Sequence, residues 1–270
     1  MTYLFDPDNW EWLWSGNNFR FLLEGFAINL QIAVVAMVLS LALGLALALL
    51  RISRLRLISV PAGIWIDVWR NLPVMLVILY FGLSLPTSWS DAYEDLVPGF
   101  LSEVMQEGFV LAGILGLVLY NSAVLAEIMR SGIQSLERGQ GDAAAALGLR
   151  YWQQMRIVIL PQGLRRMVPS TVSQLITLNK DTTLVSIIAI QEGIRHARII
   201  STSGFFGEVQ APVLQVFITL GLMFIAVNLV LSRLSRRLEI RERKRTAIKF
   251  ERPTGIEDQV AAETDVADSR

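Results

Sequence analysis

The sequence predicts an all-α, polytopic membrane protein with about five transmembrane helices. Three observations carry that prediction. The chain has 270 residues, 53% of them hydrophobic and 18% charged, whereas a water-soluble domain is about a quarter charged. The charges are concentrated between long neutral runs, as in a chain threaded repeatedly through lipid. Arginine clusters close the first, third and fifth runs, and the connections between them are neutral or acidic. By the charge-sidedness rule the basic ends are cytoplasmic, which puts the N-terminus outside and the C-terminus inside.

Residues 1–24 read as an extracytoplasmic segment. Asp6, Asp8 and Glu11 alternate there with Trp10, Trp12 and Trp14, without the basic start and cleavage site of a signal peptide. Half-wet tryptophan rings suit the headgroup layer. Residues 25–237 read as the transmembrane domain. Its first run, Gly25 to Leu50, is long enough to cross ~30 Å of hydrocarbon. Arg51, Arg54 and Arg56 close it. Along it Asn29, Ala33, Ala36, Ser40, Gly44 and Ala48 recur every three or four residues. They put small side chains on one helical face, a surface for close packing.

Leu57 to Ser90 carries the second span. Pro61 is expected to begin its helix. At Arg70-Asn71-Leu72-Pro73 the proline withholds a backbone donor, so the span has a polar, broken start. This reads equally as a functional bend and as an interfacial helix start. Pro86 to Glu107 has no Lys or Arg but carries Asp91, Glu94, Asp95, Glu103 and Glu107, with Trp89 and Tyr93 nearby. It reads as an outer connection.

Gly108 to Ala126 is the third span. Ala112 and Gly116 make a small-xxx-small pair, and Tyr120, Asn121 and Ser122 must face protein or a cavity. The fourth span runs from Met167 to Asn179, then through Lys180-Asp181 to Gln191. A helix starting near Pro169 would carry that pair about 15 Å deep, near mid-bilayer. Charges there pair or face water. The ion pair reads either as pathway residues or as pins of helix packing.

Glu192 to Gly207 reads as polar and outer, with Arg195 and Arg198 as misfits. His196, the one histidine, reads as a polar end-of-helix residue rather than a ligand or base. Val209 to Ser232 is the last span. Arg233, Arg236, Arg237, Arg241, Arg243, Lys244, Arg245 and Lys249 follow it. Residues 238–270 read as cytoplasmic, basic at first and then an acidic, disordered tail from Glu251.

Much chemistry is excluded. There are no cysteines, hence no disulfides, thiolates or cysteine metal sites. With one unsuitable histidine there is no serine hydrolysis and no zinc site. No catalytic residue, metal or cofactor is expected, and no nucleic-acid partner. The phosphate-cradling GxxxxGK[ST] signature is missing, and none of the three lysines follows a glycine.

The most informative stretch is the connection at 127–166, with six arginines and three acids. Ala143 to Ala146 are expected to form a slim helix that Gly148 ends in a left-handed conformation. Tyr151 to Ile159 are expected to form a second short helix, stopped by Pro161. From Asp142 the pattern is D-A-A-x-x-x-G, nine residues, then V-I-L-P. It closely resembles the E-A-A loop of permease subunits of bacterial ATP-binding cassette (ABC) importers. AEIMRSGIQS, LERGQGDAAAALGL, ILPQGLRRMVPS and NKDTTLVSIIAI are similar to the polar amino acid branch of that family. The resemblance covers roughly residues 29–237, with its blocks in order. Asp142 stands where glutamate is usual, one methylene shorter, and Val158 where isoleucine is usual.

The resemblance implies a type I importer permease fold, with ATP hydrolysed on a partner chain. It implies two ATPase subunits, a second permease subunit (identical or a sister chain) and an extracytoplasmic amino acid-binding protein. The implied coupling residues are Asp142, Ala143, Ala144, Gly148, Leu160 and Pro161. Candidate path residues are Asn29, Asn71, Asn121, Gln174, Lys180 and Asp181. Arg70-Asn71-Leu72-Pro73 and Leu119-Tyr120-Asn121-Ser122 look similar to permeases for acidic amino acids, notably actinobacterial glutamate importers. That favours glutamate, aspartate or glutamine as cargo. The alternative is a secondary transporter or channel working alone, which often carries internal repeats; none is detectable here.

Overall fold

The computed structural model describes residues 6–136, 138–203 and 212–248. Among these the chain is helix and turn, without strands. A 3-10 turn, Pro7–Leu13, precedes α1 (Asn18–Ile52), and α2 (Arg56–Asn71) and α3 (Val74–Ser84) follow. Two short helices, α4 (Thr87–Leu96) and α5 (Glu103–Gln106), lead to α6 (Val110–Gln134). Next come α7 (Arg138–Ala146), the single turn α8 (Tyr151–Gln153), a π-helical stretch at Gln154–Ile159 and α9 (Leu160–Asp181). A 3-10 segment at Thr182–Ile188, α10 (Gly193–Ser203) and α11 (Val213–Ile248) complete the bundle. The predicted basic residues Arg243, Lys244 and Arg245 fall in the last turns of α11; Lys249, Gly204, Gly207 and the acidic tail lie outside the described residues.

Parallel packing of α1 on α6 is the centre of the fold. All six small residues of the α1 face are buried. Gln31 Oε1 accepts from Ser102 N (3.2 Å) and Oγ (2.7 Å), and Ser40 Oγ donates to the Val118 carbonyl at 3.5 Å. A Cβ on Gly44 would lie 3.0 Å from both Leu125 Cβ and the Ser122 carbonyl. The register 31, 40, 44 against 102, 118, 122 makes the two helices run together. On the far side of α6, Gly116 receives Ile78 of α3 and Gly113 receives Val185 and Ile190.

α11 runs antiparallel to α9, because Ser235 Oγ donates to the Pro169 carbonyl (3.1 Å) and Asn179 Nδ2 to Asn228 Oδ1 (3.1 Å). The bundle therefore has a basic end, where α1, α6 and α11 finish and α9 begins. The opposite end is capped by acidic α4 and α5. Tyr93 fastens that cap by donating to the Met105 carbonyl at 2.8 Å, and burial pushes its hydroxyl up to about 12. Glu94 accepts from the Gly108 amide at 2.8 Å.

Three helices are long and apolar enough to cross a membrane, at Asn18–Ile52, Val110–Gln134 and Val213–Arg241. α2 and α3 qualify only together and are bent by 97° at their break. Leu72, which precedes Pro73, is extended (φ −83°, ψ 140°), as the proline ring demands of its neighbour. Alone, the 11 residues of α3 reach only about 16 Å. The predicted fourth span is too polar to qualify by composition, although α9 packs between α6 and α11. Its 22 residues measure about 33 Å.

Several local expectations are corrected. Pro61 lies inside α2 rather than at its start; the helix begins at Arg56, and the proline leaves one carbonyl a turn earlier without its donor. α1 and α6 overrun their neutral runs, starting at Asn18 and ending at Gln134. Trp12 does not sit in a headgroup layer: it is 1% exposed, packed among Leu22, Phe26, Ala197, Ile200 and Leu220. His196 lies at a helix end as expected, in the first turn of α10, but it is buried, its ring 4.2 Å from that of Phe21. Burial holds its imidazole below the usual range.

Gly116→Val places a branched side chain against the Ile78 backbone, 2.8 Å from its Cα at the first added carbon. Overpacking of this kind costs about 1–3 kcal/mol. Thermal unfolding of the purified chain in detergent is expected to shift downward. Gly139→Ala, which meets nothing within 4 Å, is expected to leave it unchanged.

Candidate functional site

The alanine-rich connection folds as a rigid elbow at the basic end. α7 closes in a Schellman arrangement, with the Gly148 amide donating to the Ala145 carbonyl (2.9 Å) and Leu149 to Ala144 (3.2 Å). Gly148 has φ +76° and nothing within 4 Å of its missing Cβ. Backbone conformation, not space, therefore requires glycine there. Asp142, Ala143 and Gly148 are exposed and Leu147 is 81% exposed, while Ala144 is buried beneath them.

Three contacts tie the elbow to the bundle. The Arg54 guanidinium lies over the Tyr151 ring at 4.4 Å. Gln162 donates to Gln140 at 3.3 Å, and Arg166 to the Ser135 carbonyl at 2.8 Å. Pro161 does not stop a second short helix. The π-helical stretch runs straight into α9, and Leu160 and Pro161 form its first turn, where a missing amide donor is tolerated. The second arm of the elbow, from Tyr151, and α9 are one continuous rod.

A second constellation at the same end joins α2 to α6. Arg130 grips Glu127 through both carboxylate oxygens, at 2.9 Å from Nε, and also donates to Gln134. Arg70 pairs with Asp67 at 3.1 Å and reaches Glu127 at 4.0 Å. Arg70 stands two residues before the Leu72-Pro73 bend, so these charges hold the broken span against α6. Arg51 donates to the Ser59 carbonyl at 3.1 Å and fills the space left by Gly63, tying α1 to α2.

The candidate path residues separate into groups. Asn121 and Gln174 meet across the α6–α9 seam, with Gln174 Nε2 donating to Asn121 Oδ1 at 2.7 Å. Asn71 stands apart, exposed and donating to the Asp67 carbonyl at 2.6 Å. Asn29 is fully buried; it donates to Thr182 Oγ1 (3.1 Å) and Glu192 Oε2 (2.9 Å) and accepts from the Gly193 amide (2.8 Å). Lys180 and Asp181 form no ion pair with each other; the described ion pairs are Arg20–Glu24, Arg70–Asp67, Arg70–Glu127 and Arg130–Glu127. Lys180 is exposed and Asp181 half-buried. The pair also sits nearer the acidic end than the middle. Adjacent Thr182 is level with Asn29, 22 residues or about 33 Å along α1 from Arg51. Counting depth from Pro169 falls short, because α9 starts at Leu160.

Lys180 belongs to a stripe that sequence reasoning missed. Arg166, Ser170, Ser173, Thr177 and Lys180 follow one another at steps of four, three, four and three residues along α9. That period keeps them on one helical face. Arg166, Ser170, Ser173 and Lys180 are exposed on it, while Gly163, Met167, Leu178 and Asn179 are buried on the other side. Lipid cannot host such a face, so it turns to water or to another protein. Also missed was the buried set around Asn29. Glu192 is 0% exposed, and its second oxygen accepts from the Arg195 amide at 3.1 Å, capping α10. Asn179 connects this set to α11 through Asn228. A signal existed for the latter, since Asn228 is a lone amide in the apolar run from Leu220 to Leu231.

Comparison with known proteins decides the family. The model of the binding-protein-dependent transport system inner membrane component matches residues 40–244. The chain belongs to that family. Its curated relatives include the probable glutamine ABC transporter permease protein GlnP of Bacillus subtilis (strain 168), 36% identical, covering 85% of this chain and 97% of the relative. The glutamate/aspartate import permease protein GltK of Escherichia coli O6:H1 is 32% identical, covering 83% and 96%. Among solved structures, a crystal structure of an amino acid ABC transporter with histidines superposes with TM-score 0.65 at 25% identity, covering 83% of this chain and 94% of that one. The MetNI methionine ABC transporter in an inward-facing form, 17% identical with TM-score 0.59 and coverage of 81% and 96%, shares the fold. The chain is thus a multi-pass membrane protein with the type I ABC importer permease fold.

Glu192→Ala removes one of the two acceptors of the Asn29 amide and the acceptor at the start of α10, which costs about 1–3 kcal/mol per orphaned group. Glu192→Gln keeps an acceptor oxygen. Melting of the purified chain is expected to fall clearly for the alanine variant and little for the glutamine variant.

Proposed function

We propose that this chain is the permease subunit of an ATP-driven importer for a polar amino acid, with glutamine, glutamate or aspartate as its cargo. The observation that carries the proposal is the elbow: a short alanine helix closed by Gly148 and presented at the basic end, joined by a tight turn to the helical stretch that runs into α9. Asp142 and Ala143 are its exposed face, and Ala144 packs it down. Leu160 and Pro161 pass its movement into the helix that carries the polar stripe. A rod of this kind transmits rigid-body motion without bending.

In this reading the basic end is cytoplasmic, which agrees with the sidedness of arginine. Residues 1–24 lie outside, residues 25–237 form the permease domain with the coupling connection at 127–166, and residues 238–270 lie in the cytoplasm. Two ATPase subunits grip the elbows of a permease pair, and an extracytoplasmic binding protein delivers cargo at the acidic end. The stripe of α9 and the Asn121–Gln174 contact line the path between the two subunits. Lys180 at its outer end attracts the carboxylate that every amino acid carries. Asn29 acts behind the path as a clamp on the Thr182 turn and α10. The names of the relatives support the cargo, and the polar face of α9 supports the path.

Reconstitution with an ATPase subunit and an extracytoplasmic binding protein is expected to give amino acid uptake that requires ATP. Uptake by the chain alone, driven by an ion gradient, would overturn the proposal in favour of a secondary transporter. Gly148→Val forces a branched residue to positive φ at a cost of about 1–2 kcal/mol. Hydrolysis is expected to continue in that variant while uptake collapses; wild-type uptake would remove the elbow from the mechanism. Lys180→Ala is expected to assemble normally and raise the KM for uptake roughly tenfold, the worth of a charge-assisted hydrogen bond. An unchanged KM would make Lys180 a bystander.

A further inference from the structure

The basic end of the α6–α9 seam opens into a cleft of about 450 Å³, lined by Glu127, Arg130, Ser131, Ser135, Arg166 and Ser170 over a floor that includes Met167. Its two cations are in different states. Arg130 is committed, bound to both oxygens of Glu127 and to Gln134. Arg166 has a single partner, the neutral Ser135 carbonyl, and no carboxylate within ion-pair reach among the described residues. A guanidinium carries five N–H donors in a fork that matches a carboxylate, so most of the Arg166 fork is free. Arg130 and Glu127 neutralise each other, which leaves the cleft with one net positive charge and three hydroxyls.

The cleft also lies in line with the polar track. Arg166 and Ser170 are the last two members of the α9 stripe, and Gln174, which meets Asn121, stands one turn above Ser170. From Lys180 to Arg166 is 14 residues, about 21 Å along the axis. The stripe thus has a cation at each end and only hydroxyls between. Beside the cleft α6 and α9 touch most closely, with Met167 packed on Gly132 and Gly163 on Ile133. This gives Arg166 a fixed platform.

We propose that Arg166 and the hydroxyls of Ser131, Ser135 and Ser170 form a second carboxylate station, where the departing amino acid is held by its α-carboxylate before release at the basic end. This rests on the permease reading and adds a site to it. Held only at Lys180, a carboxylate would have to leave one cation for open water. The Arg166 station gives it a second charge-assisted partner one membrane half further on. The geometry favours an amino acid over a bare inorganic anion, because the floor at Met167 offers an apolar surface to an alkyl chain.

The chain has no cysteine, so Ile128→Cys, in the wall of the cleft but outside the station, is a clean reporter. In the complete importer without nucleotide, the rate of maleimide labelling at this position is measured in inside-out membrane vesicles. L-Glutamine, L-glutamate and L-aspartate are tested against L-glutaminamide, which lacks the α-carboxylate, and against sulfate. At least one of the three amino acids is expected to slow labelling several-fold, and the amide and sulfate are not. In the Arg166→Gln background the protection is expected to vanish, while Arg166→Lys, which keeps the charge, retains part of it. No protection, equal protection by the amide or by sulfate, or protection that survives Arg166→Gln would each overturn the station. ATP-driven uptake by the wild-type importer is measured beside these experiments. Uptake without protection sinks the station alone, and absence of uptake sinks the permease reading.

Discussion

The close approach of α1 to α6 is the constraint on which the remaining structure depends. Within lipid there is no hydrophobic gain from bringing two apolar helices together, so association rests on van der Waals contact and interhelical hydrogen bonds. Contact of that kind is short-ranged and rewards small side chains that let backbones near each other. The α1 face from Asn29 to Ala48 provides them, and Gly113 and Gly116 continue the surface on the other side of α6. Several other elements lean on this pair. α3 seats Ile78 on Gly116, the 3-10 segment seats Val185 over Gly113, and α10 lays His196 across Gly25.

Polar groups within the bundle follow two opposite rules. Asn29, Thr182, Glu192 and Asn179 are enclosed: Asn29 donates to Thr182 and Glu192, Thr182 to the Asn179 carbonyl, and Asn179 to Asn228. Such groups hold helices in register and have little freedom to do anything else. Arg166, Ser170, Ser173 and Lys180 are on an open face, and the hydroxyls of Ser173 and Thr177 are satisfied only by their own helix. α9 therefore carries an enclosed polar side and an open polar side, one on each face. From Tyr151 the chain is helical without interruption into α9, while Ala144 is joined to it through the Gly148 turn. The bend at Leu72-Pro73 is tied into the same end by Arg70 and Glu127, so the broken span has to move with α6 or lose those pairs.

Much of this was legible in the sequence because it depends on neighbours along the chain. Three spans follow from runs of apolar residues, and the small face of α1 follows from its period. The helix end at Gly148 follows from an Ala-rich turn before a glycine. What misled was position. Pro61 and Pro161 look like boundaries, yet both sit within helical rods, since the cost of a missing donor is met by context. Lys180 next to Asp181 looks like an ion pair, yet adjacent residues on a helix diverge, and each took a separate environment. Trp12 looks like an interfacial ring, yet it is core, because α10 and α11 arrive to cover it.

By itself, the sequence determined that this chain is a helical membrane protein with a basic side and an alanine elbow, because composition and local period are properties of short stretches. Only the tertiary structure decided which polar residues are locked and which are open. Glu192 and Asn29 are 163 residues apart, and Gln174 meets Asn121 across 53. Whether a buried amide is a clamp or part of a path depends on what stands opposite it, and that is set by helix packing rather than by anything adjacent in the chain.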